Sequence, residues 1–325
     1  MFSLEELRAA TDVVRRVVPP TPQYRWPLLA ERLEAPGAEV WVKHENATPA
    51  GAFKVRGGLV YVDRLVQRRP DVPGLVSATR GNHGQSIAIA GTRAGLPVTI
   101  VVPHGNSPDK NASMRAWGAE LVELGRDFQE AREHAAALAE ERGLEMVPSF
   151  HLDLVLGVAT YGLELFEAVP DLDVVYVPIG MGSGACGLIA ARDALGLTTE
   201  IVGVVAERAP ATALSVAAGH VVCTDDADTF IDGVACRVPD ATAIDLISSG
   251  CARIVQVSEN ACAEAMRVLL ETTHQMPEPA GAVATAAMFA EADRLGGKRV
   301  ATIMTGGNLD AHLLREVLAG RTPTV

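Results

Sequence analysis

One lysine in this chain stands where a side chain could do covalent chemistry. Lys54 follows Gly51 and the apolar pair Ala52 and Phe53, between a short strand-like run and an expected helix. A side chain at such a boundary can point into a cleft, and a lysine removed from water loses its proton readily and can form a Schiff base with a carbonyl. A solvated lysine at a helix start is the ordinary alternative, because most lysines are exposed.

A glycine-rich turn is the second chemical feature. It follows the strand-like residues 174–177, opens a helix, and contains Gly180, Met181, Gly182, Ser183 and Gly184. Such glycines let the backbone approach a ligand and turn its N–H groups inward at the positive end of a helix dipole, which suits a phosphate group. The turn departs from the dinucleotide-binding pattern, in which an acidic residue about 20 positions later ends the next strand. Here Glu200 lies near that spacing, but it precedes the next strand. Packing alone also produces turns of this kind.

A second strand-to-helix corner spans residues 77–85. It carries Thr79, Arg80, Gly81, Asn82 and His83. Free backbone N–H groups and a side-chain amide at such a corner suit a carboxylate and a ring hydroxyl. The alternative needs no ligand, because Thr79 and Asn82 can cap the helix, and a lone His83 is typical of a structural hydrogen-bonding residue.

Thr305 ends the last expected strand and is followed by Gly306, Gly307 and Asn308. Open α/β sheets bind ligands at the carboxyl edge of their strands. A threonine hydroxyl at that edge could hydrogen-bond a heterocyclic nitrogen. The plain alternative is a helix N-cap before Leu309.

The elements that must position these residues alternate between short strands and helices. Strands are expected at residues 40–43, 75–78, 98–102, 120–124, 174–177, 201–205, 254–257 and 300–304. Alternation of this kind predicts an α/β fold with largely parallel sheets flanked by crossover helices. Residues 75–148 are expected to form a small domain, and residues 1–74 together with 149–325 a large one. The Asp-rich segment 219–252 gives no clear pattern.

The composition excludes several classes of partner. The chain of 325 residues has a net charge of −12 and no basic run, which argues against a nucleic-acid or anionic-membrane surface. It opens on a helix capping box, Ser3 to Glu6, in place of a targeting signal, and no apolar run reaches the roughly 20 residues of a membrane helix. Its 5 cysteines lack metal-type spacing and fit reduced thiols. We therefore expect a soluble, cytoplasmic protein.

Each of these motifs alone is weak evidence for a function, but the order in which they occur along the chain is specific. They read Gly-Ala-Phe-Lys-Val-Arg-Gly, Arg-Gly-Asn-His-Gly-Gln, Gly-Met-Gly-Ser-Gly, Ile-Asp-Gly-Val-Ala, Glu-Pro-Ala-Gly-Ala and Thr-Gly-Gly-Asn. This series closely resembles the serine/threonine dehydratase family, which has the tryptophan-synthase-β-like fold (fold type II) of pyridoxal-phosphate (PLP) enzymes. It is also similar to serine racemase and hydroxyaspartate dehydratase. The resemblance covers nearly the whole chain, from about residue 5 to about residue 318.

The resemblance implies a role for each motif. Lys54 would be the Schiff-base lysine with Phe53 beside the cofactor ring, Asn82 would bond the ring hydroxyl, and Thr305 would face the ring nitrogen. The substrate carboxylate would lie at Thr79, Arg80, Gly81, Asn82 and His83, and the phosphate at Gly180, Met181, Gly182, Ser183 and Gly184. Gly233 and Glu278 would line the pocket near the ring. The small domain would move against the large one over the PLP cofactor, and the protein would be a homodimer.

Several positions depart from the family pattern. Thr305 stands where a serine is common, Met181 and Ser183 interrupt a run of glycines, and Arg80 replaces a small residue. Some members bind a divalent cation through a glutamate and an aspartate six residues later. Here Glu207 matches the first ligand but Ala213 occupies the second position, so we expect no metal site.

The resemblance implies that the enzyme is a lyase. It would remove the β-hydroxyl of a threonine- or serine-like amino acid and release a 2-oxo acid and ammonia, as in amino-acid catabolism. The alternatives are an amino-acid racemase, a β-replacement synthase, a dehydratase of 3-hydroxyaspartate or phenylserine, and an idle phosphate-binding regulatory module. An arginine stays protonated, so Arg80 is a poor second acid/base for racemization. We expect it to face the cleft and hold a carboxylate or a polar substrate tail, the alternative being an outward, solvated side chain.

Overall fold

The computed structural model describes residues 1–126 and 128–324 as an α/β protein with two sheets. The larger sheet has six strands in the order β1-β2-β10-β7-β8-β9, and every pairing is parallel except that of β1 with β2. Its strands are β1 Gln23–Arg25, β2 Glu39–His44, β7 Val174–Pro178, β8 Glu200–Ala206, β9 Arg253–Val257 and β10 Arg299–Met304. The predicted fold class is confirmed.

The smaller sheet has four parallel strands in the order β5-β4-β3-β6. They are β3 Leu75–Ala78, β4 Val98–Val102, β5 Glu120–Glu123 and β6 Glu145–Met146. All of them lie within residues 75–148, the segment expected to form the small domain. Whether that segment moves as a unit stays a prediction.

Helices cover both sheets. They are α1 Leu4–Arg15, α2 Pro27–Leu33, α3 Lys54–Arg68, α4 Asn82–Arg93, α5 Pro108–Ala116, α6 Phe128–Arg142, α7 Leu152–Ala168, α8 Ser183–Ala194, α9 Ala211–Ala218, α10 Ala241–Gly250, α11 Glu259–Thr273, α12 Pro279–Ala290 and α13 Ala311–Leu318. Short 3₁₀ turns span Glu45–Ala47, Asp232–Val234 and Ala292–Arg294. The predicted capping box is present, because the Glu6 N–H donates to Ser3 Oγ and the Ser3 N–H to Glu6 Oε2.

Helix α7 is the buried centre of the molecule, and almost all of its residues are shielded from solvent. It packs against both α3 and α8, the helices that begin at Lys54 and Ser183. The approach to α3 requires glycine, because a Cβ at Gly157 would lie 2.3 Å from the Arg56 carbonyl oxygen. A tightly seated α7 therefore fixes the start of both helices relative to each other.

The segment 219–252, which gave no clear sequence pattern, contains the 3₁₀ turn Asp232–Val234 and helix α10. The Asp240 carboxylate caps α10 by accepting the Ala243 N–H at 3.0 Å. Small and hydroxyl-bearing residues dominate this helix, and Ala243, Ile244, Ile247 and Gly250 are its buried positions. Its apolar periodicity is therefore weak, which explains why the sequence did not reveal it.

The five cysteines all lie in the described part of the chain, and each is a free thiol. Of the helices among residues 1–126 and 128–324, none is both long and apolar enough to cross a bilayer.

Candidate active site

Lys54 is the first residue of α3, and the turn before it is bonded to the end of β10. The Phe53 N–H donates to the Thr305 carbonyl at 3.0 Å, and the Gly307 N–H donates to the Gly51 carbonyl at 2.9 Å. Gly51 has φ +66°, a backbone conformation that glycine adopts freely. Two of the predicted site motifs are therefore joined through the backbone at the carboxyl edge of the larger sheet.

The Lys54 amine lies in an apolar and mostly enclosed environment. Its Nζ is 5.0 Å from the centroid of the Phe53 ring. It shares a small cavity with His83, Ser149 and Ser183. Burial lowers the pKa of Lys54, and the negative charge of Glu278 only partly opposes this shift. A neutral amine is thereby more accessible at Lys54 than at an exposed lysine.

The glycine-rich turn ends at the N-terminus of α8, as predicted. Gly182 precedes the helix with φ +100°, and the first N–H groups of a helix have no partner within it. The Tyr161 hydroxyl donates to the Gly184 carbonyl at 3.0 Å and fixes this turn from α7. A Cβ at Gly184 would lie 3.7 Å from the Phe53 ring, from the Pro178 carbonyl oxygen and from the Tyr161 hydroxyl, so these three residues surround the turn at contact distance.

Gly180 and Gly233 lie against each other beside this turn. A Cβ at Gly180 would stand 2.4 Å from the Gly233 carbonyl oxygen, and a Cβ at Gly233 would stand 2.6 Å from Ala280. Met181 points away to Cys236, with 3.6 Å between their sulfur atoms. The two loops and the start of α12 therefore form one continuous wall.

The corner after β3 is capped from within. Thr79 Oγ1 accepts the N–H groups of Gly81 at 3.0 Å and Gly84 at 3.3 Å. The hydroxyl of Thr79 is thus already engaged, which leaves Asn82 and His83 to head α4 with the free N–H groups of a helix start. Burial, and next the charge of Lys54, lower the pKa of His83 to about 3, so its ring is neutral. Its Nε2 is buried without a partner in the described chain.

A polar network joins the corner to two other motifs. Asn82 Nδ2 donates to Glu278 Oε1 at 2.8 Å, and Asn308 Nδ2 donates to Asn82 Oδ1 at 2.8 Å. Glu278 is only 2% exposed, and burial raises its pKa to about 7 even though Lys110 opposes the shift. Its Oε2 has no partner among the described residues. A buried polar atom without a partner points to a ligand that would complete it.

Most of the predicted site residues therefore converge on Lys54, but Arg80 does not. It is exposed and lines a separate, outer cavity between the two sheets. Thr305 is buried at the end of β10, beside the backbone of the Lys54 turn. Its hydroxyl is available for the predicted contact with a ring nitrogen, which stays a prediction.

Sequence reasoning missed several residues of this site. Tyr161 and Ser149 lie far from any motif: the packing of α7 brings Tyr161 to Gly184, and Ser149, in the segment between β6 and α7, lines the cavity at Lys54. Asn308 belongs to a recognised motif, but its bonds to Asn82 and the Ala50 carbonyl could not be read from spacing. Lys110 was not linked to the site at all.

The two positions that correspond to the family's cation ligands lie after β8 and in α9. Glu207 is exposed at the end of β8, and Ala213 lies in α9. Among residues 1–126 and 128–324 no group of three or more His, Cys, Asp or Glu side chains could hold a metal ion. The absence of a functional cation site stays a prediction.

Comparisons with known proteins agree with this architecture. The family model "Pyridoxal-phosphate dependent enzyme" matches residues 14–306. An L-threonine ammonia-lyase of Thermotoga maritima is 32% identical over 319 residues, which span 98% of this chain and 78% of that protein. An L-threo-3-hydroxyaspartate ammonia-lyase of Saccharomyces cerevisiae is 28% identical over 97% of both chains. A crystal structure of a pyridoxal 5'-phosphate-dependent aspartate racemase superposes with a TM-score of 0.90 at 26% identity, over 95% of this chain and 97% of the other. The chain belongs to the family of pyridoxal-phosphate dependent enzymes and has their fold type II architecture.

Proposed function

We propose that this protein is a dehydratase that converts a β-hydroxy amino acid into a 2-oxo acid and ammonia. The observation that carries the proposal is the position of Lys54, a partly buried amine between the N-terminus of α8 and the Asn82–Glu278 pair. The relatives named as ammonia-lyases support the reaction class. The identity is near 30%, so the substrate has to be argued from the site itself.

The residues fit pyridoxal phosphate in their chemistry. The α8 N-terminus, with Ser183 and the backbone N–H groups of its first turn, suits the phosphate, and the free Glu278 Oε2 and a second Asn82 N–H remain for polar groups of the ring. Phe53 lies beside the lysine as an apolar wall. When bound, the cofactor supplies the electron sink that makes the α-proton of an amino acid removable.

The chain's own residues then position the substrate and move its protons. The N–H groups of Asn82 and His83 at the start of α4 would hold the α-carboxylate. Lys54 Nζ, whose pKa is lowered by burial, would take the α-proton as general base. The α-proton and the β-hydroxyl together leave as one water, and the released enamine takes up one water to give the 2-oxo acid and ammonia, so the reaction balances without net change in water. Thr305 offers the ring nitrogen a neutral hydroxyl, which favours prompt elimination over transamination.

A racemase is the second candidate, because the aspartate racemase structure superposes with a TM-score of 0.90, in the same range as the threonine deaminase structures. Racemization needs a second acid/base on the face of the substrate opposite Lys54. In racemizing relatives a corner serine has this role, whereas the corresponding residue here is Arg80, which stays protonated. The arginine therefore favours elimination.

A single screen tests the proposal. The purified holoenzyme would be incubated with serine, threonine, 3-hydroxyaspartate and phenylserine, each as L and D forms, and ammonia, 2-oxo acid and the opposite enantiomer would be measured. We expect 2-oxo acid and ammonia in equal amounts and little of the opposite enantiomer. Racemization that exceeds elimination would establish the racemase, and product formed only with an added thiol or other nucleophile would establish a β-replacement synthase. We also propose a homodimer, which light scattering would test.

A further inference from the structure

A cavity of about 210 Å³ opens between the two sheets, outside the layer that surrounds Lys54. It is lined from the smaller-sheet side and from the larger-sheet side, and its principal residues are Arg80, His104, Lys110, Phe230, Asp232 and Asp310. A dry cavity of about 150 Å³ already holds a benzene molecule. The space is therefore large enough for a carboxylate with part of its hydration shell.

One ion pair crosses this cavity, and two other charged side chains of its lining, Arg80 and Asp310, have no ion-pair partner among the described residues. The Lys110 ammonium forms an ion pair with Asp232, and the Ser107 hydroxyl donates to Asp310. Arg80 has neither an ion pair nor a side-chain hydrogen bond with any residue in 1–126 and 128–324. A guanidinium is always protonated and offers a planar fork of N–H groups that matches a carboxylate. The Arg80 guanidinium is thus free to pair with an anionic ligand that enters the cavity.

The cavity adjoins the site where the substrate would react. Asn308 lines it and also donates to Asn82, the residue that heads α4. Pro279, another lining residue, directly follows Glu278. Arg80 itself lies just before the Gly81–Asn82 helix start. A substrate held at its α-carboxylate by α4 could extend its side chain past Asn308 into the cavity.

We propose that this cavity is the side-chain subsite and that Arg80 binds a second carboxylate there. The inference rests on the proposed dehydratase function and narrows its substrate class to β-hydroxy amino acids with an acidic side chain, of which 3-hydroxyaspartate is the smallest. Lys110 supports the anion from the same wall, since it packs across Gly81: a Cβ at Gly81 would lie 2.8 Å from Lys110 Cδ. Neutral substrates leave Arg80 without a partner and gain nothing from it.

Kinetics of the holoenzyme on paired substrates test the subsite. We expect the parent to prefer 3-hydroxyaspartate to serine in kcat/KM, and Arg80→Ala to lose on the order of ten- to a hundredfold more on 3-hydroxyaspartate than on serine, as for one charge-assisted contact. Arg80→Lys should recover part of the loss. The matched control is Arg93→Ala, an exposed arginine at the other end of α4, which should change neither substrate.

A binding measurement separates the subsite from catalysis. Calorimetry would compare succinate with butyrate, which differ by one carboxylate, on the parent and on Arg80→Ala. Preference for succinate in the parent that disappears in the variant supports the inference. Equal losses on both substrates, or no succinate preference in the parent, overturn it while leaving the dehydratase assignment standing. A parent inactive on every β-hydroxy amino acid would overturn the proposed function itself.

Discussion

The reactivity of Lys54 comes from its surroundings more than from its sequence neighbours. The Phe53 ring centroid is 5.0 Å from Lys54 Nζ, and the charge of Glu278 favours the protonated amine. Burial raises the pKa of Glu278 to about 7, so its charge, and with it this opposing effect, depends on pH in the neutral range. The protonation states of Lys54 and Glu278 are thus coupled within one enclosed site.

The first prediction concerns which lysine carries the cofactor. The chain has only Lys43, Lys54, Lys110 and Lys298. Borohydride reduction followed by peptide mapping should find the cofactor on Lys54 alone, and Lys54→Ala should lose both the yellow colour and turnover. Lys298→Ala is the control and should retain both. A reduced adduct on Lys43 or Lys110 would contradict the assignment.

The second prediction follows from the raised pKa of Glu278. A carboxyl whose pKa is about 7 in the folded protein and 4.5 in the reference state is more easily protonated when folded. Its contribution therefore favours the fold at low pH and is lost as pH rises through 7, by about 3 kcal/mol in total. Glu278→Gln keeps the acceptor for Asn82 and removes the charge.

Denaturation of the apoenzyme at about pH 5.5 and about pH 8.5 measures this effect. Because the loss begins above pH 4.5, Glu278→Gln should gain stability relative to the parent at both values, and by about 2 kcal/mol more at the higher one. The exposed Glu207→Gln serves as the control and should follow the parent at both. Parallel pH profiles for Glu278→Gln and the parent would show that Glu278 is ionised throughout.

At the scale of elements, the start of α3 is anchored from the side opposite the active site. Arg56 lies two residues after Lys54, is 0% exposed, and donates from Nε to Glu45 at 2.8 Å and from Nη1 to Glu164 at 3.0 Å. Burial works to lower the pKa of Arg56, but the two carboxylates outweigh it and raise it. Lys43 donates to the same Glu164 at 2.8 Å, so the buried charges balance. The helix that begins with Lys54 is therefore fixed to the 3₁₀ turn Glu45–Ala47 and to α7.

The third prediction is that this anchor sustains both stability and the position of Lys54. Arg56→Met removes one of the two buried cations and leaves the buried Glu45 carboxylate without an ion pair, which should lower the free energy of unfolding by about 3–5 kcal/mol. Arg56→Lys keeps the charge but not the fork of N–H groups and should lie between the two. Urea denaturation and cofactor retention measure these effects, with the exposed Arg8→Met as control. Full stability of Arg56→Met would show that the cluster contributes nothing net.

The same scale explains what the sequence could and could not predict. Glycines, strand ends and helix starts are local features, so the placement of Lys54, Ser183 and Thr305 at element boundaries was readable from spacing. Tyr161 reaches the site through the packing of α7 and Ser149 through the segment that precedes it, and no local signal marks either residue. Helix α10 was missed because two of its four buried positions are the small residues Ala243 and Gly250.

Arg80 shows a different limit. Its position in the motif was clear from the sequence, but the direction of its side chain depends on both sheets. The sequence left a choice between an inward arginine and a solvated one. In the structure Arg80 is exposed and yet lines the intersheet cavity, so neither simple description is complete.

At the scale of the whole molecule, a few polar contacts join the smaller-sheet unit to the larger one across the cleft. Asn82 contacts Glu278 and Asn308, and Lys110 pairs with Asp232. Each of these contacts involves the start of α4 or a residue of α5, so these two helices form the edge of the smaller unit that faces the larger one. A motion of the smaller unit, which the family resemblance implies, would have to break or re-form these bonds.

The fourth prediction concerns the Ser107–Asp310 hydrogen bond, a further contact between the smaller-sheet unit and the larger one. Ser107, which precedes α5, donates its hydroxyl to Asp310, so Asp310→Ala should loosen α5 without touching the lysine site. Hydrogen exchange should then be faster in peptides covering α5, and unchanged in those covering β7 and β8 within the larger sheet. Asp245→Ala, at an exposed position of α10, is the control and should leave both regions as in the parent.

Kinetics give a second measurement of the same variant. In Asp310→Ala part of the binding free energy of the substrate is used to order the loosened unit, so KM should rise more than kcat falls. Unchanged exchange in α5 would mean that Asp310 does not restrain the smaller unit, and the closure would then have to rest on Lys110 and Asn82 alone.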